Sequence, residues 1–150
     1  MLTPPTTLPQ QSGGRLGFDL AQVSAIDHSL RTFGERFARR LFTRAELDYA
    51  ASGHGMRAQR LAARFAAKEA VIKALGLSEA GVNWRDIEVV KLSNGACSIA
   101  LHGRVAQLAT AMGAPQLSLS LSHEGDYAGA VVAAASDTFI SNNSQAHEDT

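Results

Sequence analysis

The sequence predicts an α+β domain in which an antiparallel sheet packs on one long central helix. Three observations carry that expectation. Arg60 to Gly76 is a strong helix former that is apolar on two sides, with Leu61, Phe65, Ile72 and Leu75 on one and Ala63, Ala67, Ala70 and Ala74 on the other, so it belongs between layers rather than on a surface. Asn94-Gly95 and the turn His123 to Asp126 each join two strand-like runs. The order of elements, a strand, helices, then two hairpins flanking a helix, lacks βαβ alternation.

Taken in order, Met1 to Gly14 is rich in Pro, Thr and Gln and reads as a flexible tail. Arg15 to Leu20 alternates as a strand does, and its apolar Leu16, Phe18 and Leu20 are expected on the core side, with Gly17 and Asp19 facing away. Gly17 is the position where a second backbone or a ligand can come close. Ser24 is the expected N-cap of a helix over Ala25 to Thr32, Gly34 breaks or kinks the run, and Glu35 to Phe42 continues it. Thr43 followed three residues later by Glu46 has the capping-box form and starts a helix to about Ala51. Ser52 to Gly55 is a loop before the central helix. Beyond Gly76, a connection leads to a strand within Trp84 to Leu92, whose partner is Ala96 to Leu101. Gly103 to Met112 is a short amphipathic helix closed by Gly113-Ala-Pro115, and Leu117 to Ser122 and Tyr127 to Ala135 form the second hairpin. The folded domain is therefore expected over 15–135, and Ser136 to Thr150 is a second polar tail.

Composition narrows the function. A chain of 150 residues suits one domain with its own core. Fourteen Lys and Arg against fourteen Asp and Glu give a net charge of zero, which argues against a general nucleic-acid or anionic-membrane binder. Arg36, Arg39, Arg40 and Arg44 still gather positive charge locally, either as a solvated face or as a dock for an acidic partner. The lone Cys97 allows no internal disulfide, no run is long enough to span a bilayer, and the opening residues lack a signal-peptide pattern, so a cytoplasmic protein is expected.

The chemistry is narrowed in the same way. Neither Gly-x-Gly-x-x-Gly nor Gly-x-x-x-x-Gly-Lys-Ser/Thr occurs. His28, His54, His102, His123 and His147 show no zinc-ligand spacing. Carboxylates remain. Asp19 and Glu69 come from separate elements, and a pair of hard oxygen ligands suits Mg²⁺, which completes its shell with waters and substrate phosphate. Lys68 and Lys73 are placed to hold such a phosphate, and Ala62 and Ala66 share a narrow strip with Glu69 and Lys73 where a backbone or ligand can approach. The plainer alternative is that Glu69 and Lys73, four apart, form a surface ion pair.

Gly17-Phe-Asp-Leu20, Phe42-Thr-Arg-Ala-Glu46, Arg64-Phe-Ala-Ala-Lys-Glu-Ala70 with Lys73-Ala-Leu-Gly76, Asp86-Ile-Glu-Val89, and Leu121-Ser-His-Glu124 through Tyr127-Ala128 together resemble holo-acyl-carrier-protein synthase, the small 4′-phosphopantetheinyl transferase. The resemblance runs in order from about Leu16 to Ala134. It implies transfer of phosphopantetheine from coenzyme A to a serine of an apo acyl carrier protein, releasing adenosine 3′,5′-bisphosphate. It implies Mg²⁺ on Asp19 and Glu69, phosphate on Lys73, a coenzyme A pocket reached by Arg64 and His123, and a compact homotrimer with sites between subunits. Arg36 is the best match to a carrier-docking position, with Arg39 and Arg40 beside it. Gln22 and Ala25 stand where the family often has Glu and Arg, and that departure points to an altered carrier such as a polyketide or lipid one. The alternative is a non-catalytic docking or regulatory trimer on the same scaffold.

Overall fold

A computed structural model describes residues 14–134. The composition-based tails, 1–14 and 136–150, lie outside the described residues apart from Gly14, as does Ala135. The elements are β1 (Arg15–Gln22), α1 (Val23–Leu41), α2 (Arg44–Ala51), α3 (Arg57–Leu75), β2 (Ile87–Lys91), β3 (Cys97–Leu101), α4 (Gly103–Ala111), β4 (Leu117–Glu124) and β5 (Tyr127–Ala134), with a 3-10 turn at Trp84–Asp86. The fold is α+β. Its main antiparallel sheet runs β1-β5-β4, and β2 and β3 form a separate two-stranded ladder around the Asn94-Gly95 turn.

Local chemistry explains most of the boundaries. Thr43 and Glu46 close the capping box at α2, with Thr43 Oγ1 accepting from the Glu46 amide at 3.2 Å and Glu46 Oε1 accepting from the Thr43 amide at 2.8 Å. Helix α3 ends where Gly76 turns left-handed, at φ 65°, a conformation with no side-chain penalty for glycine. Gly34 sits inside α1 with φ 69° and ψ −160°, so the expected break is a kink between two helical segments. The start of α1 differs from expectation. Ser24 lies in the first turn rather than capping it, and the cap comes from the β4–β5 turn, where Asp126 accepts from the Ser24 amide at 3.0 Å through Oδ1 and from the Val23 amide at 2.7 Å through its carbonyl. Ser24 Oγ also donates to Asp126 Oδ2.

As the two-sided pattern requires, α3 is buried almost throughout, including Leu61, Ala66, Ala67, Ala70, Val71, Ala74 and Leu75. The sheet lies on its alanine side, and this reverses the expected orientation of β1. Gly17 and Ala21 face the helix and are buried, Asp19 shares that face, and Leu16, Phe18 and Leu20 point outward at 68%, 54% and 57% exposure. The cause is the size of the facing residues. An alanine-lined helix draws the sheet so close that only small side chains fit between them, and β5 supplies Ala128, Ala130, Val132 and Ala134 opposite Ala21, Asp19, Gly17 and Arg15. Large side chains at those positions would hold the two layers apart.

Candidate functional site

Gly17 is the closest point of that contact. A Cβ there would lie 1.9 Å from the Ala70 carbonyl oxygen and 2.9 Å from the Ala74 amide nitrogen, so no other residue fits. The close approach runs over Ala70 and Ala74 rather than over the Ala62 and Ala66 strip read from spacing. Two residues further along β1, period-two alternation brings Asp19 onto the same helix face. There Lys73 Nζ donates to Asp19 Oδ1 at 2.7 Å and to the Phe18 carbonyl at 3.2 Å.

Glu69 lies one helical turn before Lys73. Burial holds its carboxyl above the usual glutamate range, the negative charge of Asp19 adds to that, and Lys73 works against both. Lys73 is in turn held above the usual lysine value, first by its hydrogen bond to Asp19. Asp19, Glu69 and Lys73, expected together from the sequence, thus form one electrostatic cluster fed by β1 and α3. The Lys73 ammonium bonded to Asp19 occupies the role of a counter-cation. Among the described residues no group of three or more His, Cys, Asp or Glu gathers into a closed cage. A pair of carboxylates, one with a raised pKa that a second positive charge would relieve, suits a hard divalent cation that keeps waters and takes substrate phosphate. The donor set therefore fits Mg²⁺.

Lys68 departs from expectation. It is fully buried and does not reach a phosphate site: its Nζ donates to Glu46 Oε1 at 2.7 Å, to the Trp84 carbonyl at 3.1 Å and to the Ile87 carbonyl. Glu46 is equally buried, and its other oxygen accepts from the Val89 amide at 3.1 Å. All three ammonium donors are consumed in tying α3 to α2 and to the Trp84 to Val89 segment. This knot also sets the wall beside Glu69, because Trp84 stacks on Phe65 with ring centroids 5.4 Å apart. Glu69, Ile72, Leu77, Val82 and Trp84 line a cleft of about 230 Å³ there.

Arg64 and His123 do line one cleft, of about 300 Å³, together with Arg60, Lys91 and Tyr49. Arg64 is only 4% exposed, donates from Nη1 to the Arg60 carbonyl at 3.3 Å, and has an Nε without a partner among the described residues. His123 Nδ1 lies 3.3 Å from Gln59 Nε2. Among the described residues no carboxylate lines this cleft, so it is suited to an anion. Arg60 could have been picked out as the residue four before Arg64 on the same helical face, whereas nothing in the sequence singles out Tyr49 or Lys91. Arg36, Arg39 and Arg40 are exposed on α1 beyond the Gly34 kink, away from the core.

A family model described as the 4′-phosphopantetheinyl transferase superfamily matches residues 15–132. A holo-[acyl-carrier-protein] synthase of Gloeobacter violaceus is 43% identical over 118 residues, covering 79% of this chain and 89% of that protein. The crystal structure of holo-[acyl-carrier-protein] synthase from Neisseria meningitidis superposes with a TM-score of 0.73 at 32% identity, over 80% of this chain and 96% of that one. An ACPS–CoA complex from Chronobacterium ammoniagenes gives the same TM-score, 0.73, at 32% identity over 83% and 98% of the two chains. The match spans β1 and α3, the elements that carry Asp19, Glu69 and Lys73, and the chain belongs to the 4′-phosphopantetheinyl transferase superfamily.

Proposed function

We propose that this chain transfers the 4′-phosphopantetheine group of coenzyme A to a serine hydroxyl of an apo acyl carrier protein. The serine oxygen forms a bond to the phosphorus of the arm as its proton passes to a base, either the Glu69 carboxylate, another carboxylate or a water, the bond from phosphorus to the bridging oxygen breaks, and adenosine 3′,5′-bisphosphate leaves with the electron pair. The observation that carries this reading is the cluster of Asp19, Glu69 and Lys73 held together by the Gly17 contact, in a chain of this superfamily. Mg²⁺ on Asp19 and Glu69 would supply charge neutralisation on the pyrophosphate oxygens. Lys73 holds a positive charge over the same oxygens, and the Arg64 and His123 cleft takes the remaining anionic end of the coenzyme. The cleft beside Glu69, lined by Ile72, Leu77, Val82 and Trp84 together with Ser78 and Gly81, gives the uncharged arm a place to lie.

A homotrimer belongs to the same reading. It is supported by an apolar outer sheet face, with Leu16, Phe18, Leu20, Tyr127 and Val131 all exposed, which borders His123. Copies packed there would cover the apolar face and bring one subunit's His123 edge against its neighbour. Arg36, Arg39 and Arg40 form the docking face for an acidic carrier, and the uncharged Gln22 and Ala25, where the family often has Glu and Arg, are in keeping with a carrier other than the usual fatty-acid one. A free Cys97 thiol agrees with a cytoplasmic setting.

The test is incubation with coenzyme A, Mg²⁺ and a panel of apo carriers, read as mass gained on the carrier serine. Asp19→Ala and Glu69→Ala are each expected to abolish the Mg²⁺-dependent gain. Near-normal turnover by either folded variant rejects the site assignment. Coenzyme A binding without transfer to any carrier favours the non-catalytic scaffold instead.

A further inference from the structure

The anion cleft is built around a residue that neither the motifs nor the proposed reaction uses. Tyr49 lies in the last turn of α2, and both Arg60 and Arg64 place their guanidinium carbons 4.3 Å from its ring centroid, with Lys91 Nζ at 5.4 Å. Three cations around one ring, in a cleft that no carboxylate lines among the described residues, repel one another unless something holds them. The Tyr49 residue does so through its carbonyl and its ring. Its carbonyl accepts from Arg60 Nη1 at 2.7 Å, and that guanidinium is tied further to Ser52 Oγ at 3.0 Å. Its ring face attracts both guanidinium groups. Lys91 Nζ stands over the same ring. Burial acts to raise the phenol pKa, but Lys91, Arg60 and Arg64 outweigh it and hold the group below the usual tyrosine value, as a ring enclosed by cations requires.

We propose that Tyr49 is a positioning residue for coenzyme A: its ring aligns Arg60, Arg64 and Lys91, so that three cations are preset to grip a phosphate of the coenzyme. The inference rests on the coenzyme A reading above. It adds Arg60 and Lys91 to the residues that meet the anion, and it makes an aromatic platform the reason their charges converge. The partnerless Nε of the buried Arg64 is the second sign of a ligand, since a guanidinium withdrawn this far from water is completed by an anionic acceptor.

The experiment measures coenzyme A and adenosine 3′,5′-bisphosphate binding by calorimetry in the full chain, followed by KM and kcat for transfer. Tyr49→Leu is expected to weaken both ligands and raise KM roughly tenfold, the effect of losing two partly desolvated cation–π contacts, with kcat within about twofold. Tyr49→Phe, which keeps the ring, should recover most of that affinity. Should the leucine variant melt early, Tyr49→Gln, at a half-buried position that tolerates a polar side chain, gives the same measurement. Unchanged binding in a folded variant without the ring, or a fall in kcat at constant KM, overturns the positioning role while leaving the reaction intact. Wild-type protein that fails to bind coenzyme A overturns both. Wild-type binding that weakens in Tyr49→Leu supports the platform even where no carrier accepts the group, an outcome that counts against transfer alone.

Discussion

Replacing Lys68 with methionine tests whether the buried ion pair is what holds the site's wall in place. The side chain is isosteric enough to fill the space, so the loss is electrostatic. Glu46 would remain at 1% exposure with its carboxylate facing no cation, and the Trp84 and Ile87 carbonyls would lose their shared donor. Breaking one side of such a pair costs about 3–5 kcal/mol. The capping-box amide of Thr43 and the Val89 amide still serve Glu46, which argues for the middle of that range, about 4 kcal/mol. For a domain of this size each kcal/mol moves the melting temperature by about 3–5 °C, so a fall of roughly 12–20 °C is expected. Circular dichroism melts and urea titrations read it. The double variant Glu46→Gln with Lys68→Met, which removes the stranded charge but keeps a capping side chain, should regain at least half of the loss. A single variant within about 1 kcal/mol of the wild type would refute the reasoning, because it would mean that the charge is screened or neutralised by something other than this contact.

Other outcomes follow from the same geometry. Gly17→Ala forces a Cβ to within 1.9 Å of the Ala70 carbonyl and must push β1 off α3; about 1–3 kcal/mol of stability should be lost together with Mg²⁺-dependent transfer, and full activity at wild-type stability would count against the contact as the device that positions Asp19. Asp19→Asn removes a negative charge that raises Glu69, so carboxyl NMR should show the Glu69 pKa falling toward the ordinary value of about 4.3, and no movement would show that the two groups do not sense each other. Because a raised carboxylate pKa means that the native state holds its proton more tightly than the unfolded chain, Glu69 stabilises the metal-free protein below the ordinary value and loses that contribution as pH rises through the raised one. Asp126 has the opposite sign: its bonds to Ser24 lower its pKa, so its contribution is present above the unfolded value of about 3.9 and lost as pH falls through the folded one. The stability gap between wild type and Asp126→Ala, followed by denaturant titration, should accordingly narrow in acid; a constant gap would assign the effect to shape alone.

Much of the fold was legible because its signals are local. The Thr43 and Glu46 capping box, the Gly76 terminator and the Asn94-Gly95 hairpin depend on neighbours within a few residues, and each appears where the pattern places it. The candidate site was legible for a related reason. Glu69 and Lys73 share a helix face by their spacing of four, and Gly17 and Asp19 share a strand face by their spacing of two, so each half of the cluster is written in a period.

Which half meets which partner is another matter. Alternation in Arg15 to Leu20 shows that two faces exist, but the identity of the inner one was decided by the small residues of α3, more than thirty positions away in the sequence, which admit Gly17 and Ala21 and exclude Phe18. Lys68 and Glu69 are adjacent in sequence yet have opposite fates, because a turn of about 100° sends one ammonium into the core against Glu46 and leaves the next carboxylate beside Asp19. Tyr49 and Asp126 gain their roles only from groups that long-range packing brings to them. The sequence by itself determined the elements, their caps and the residues able to bear charge chemistry, since these follow from periodicity and backbone preference. The tertiary structure alone decided which charges are neutralised inside and which are left for a ligand, since that depends on the size and polarity of whatever packs opposite.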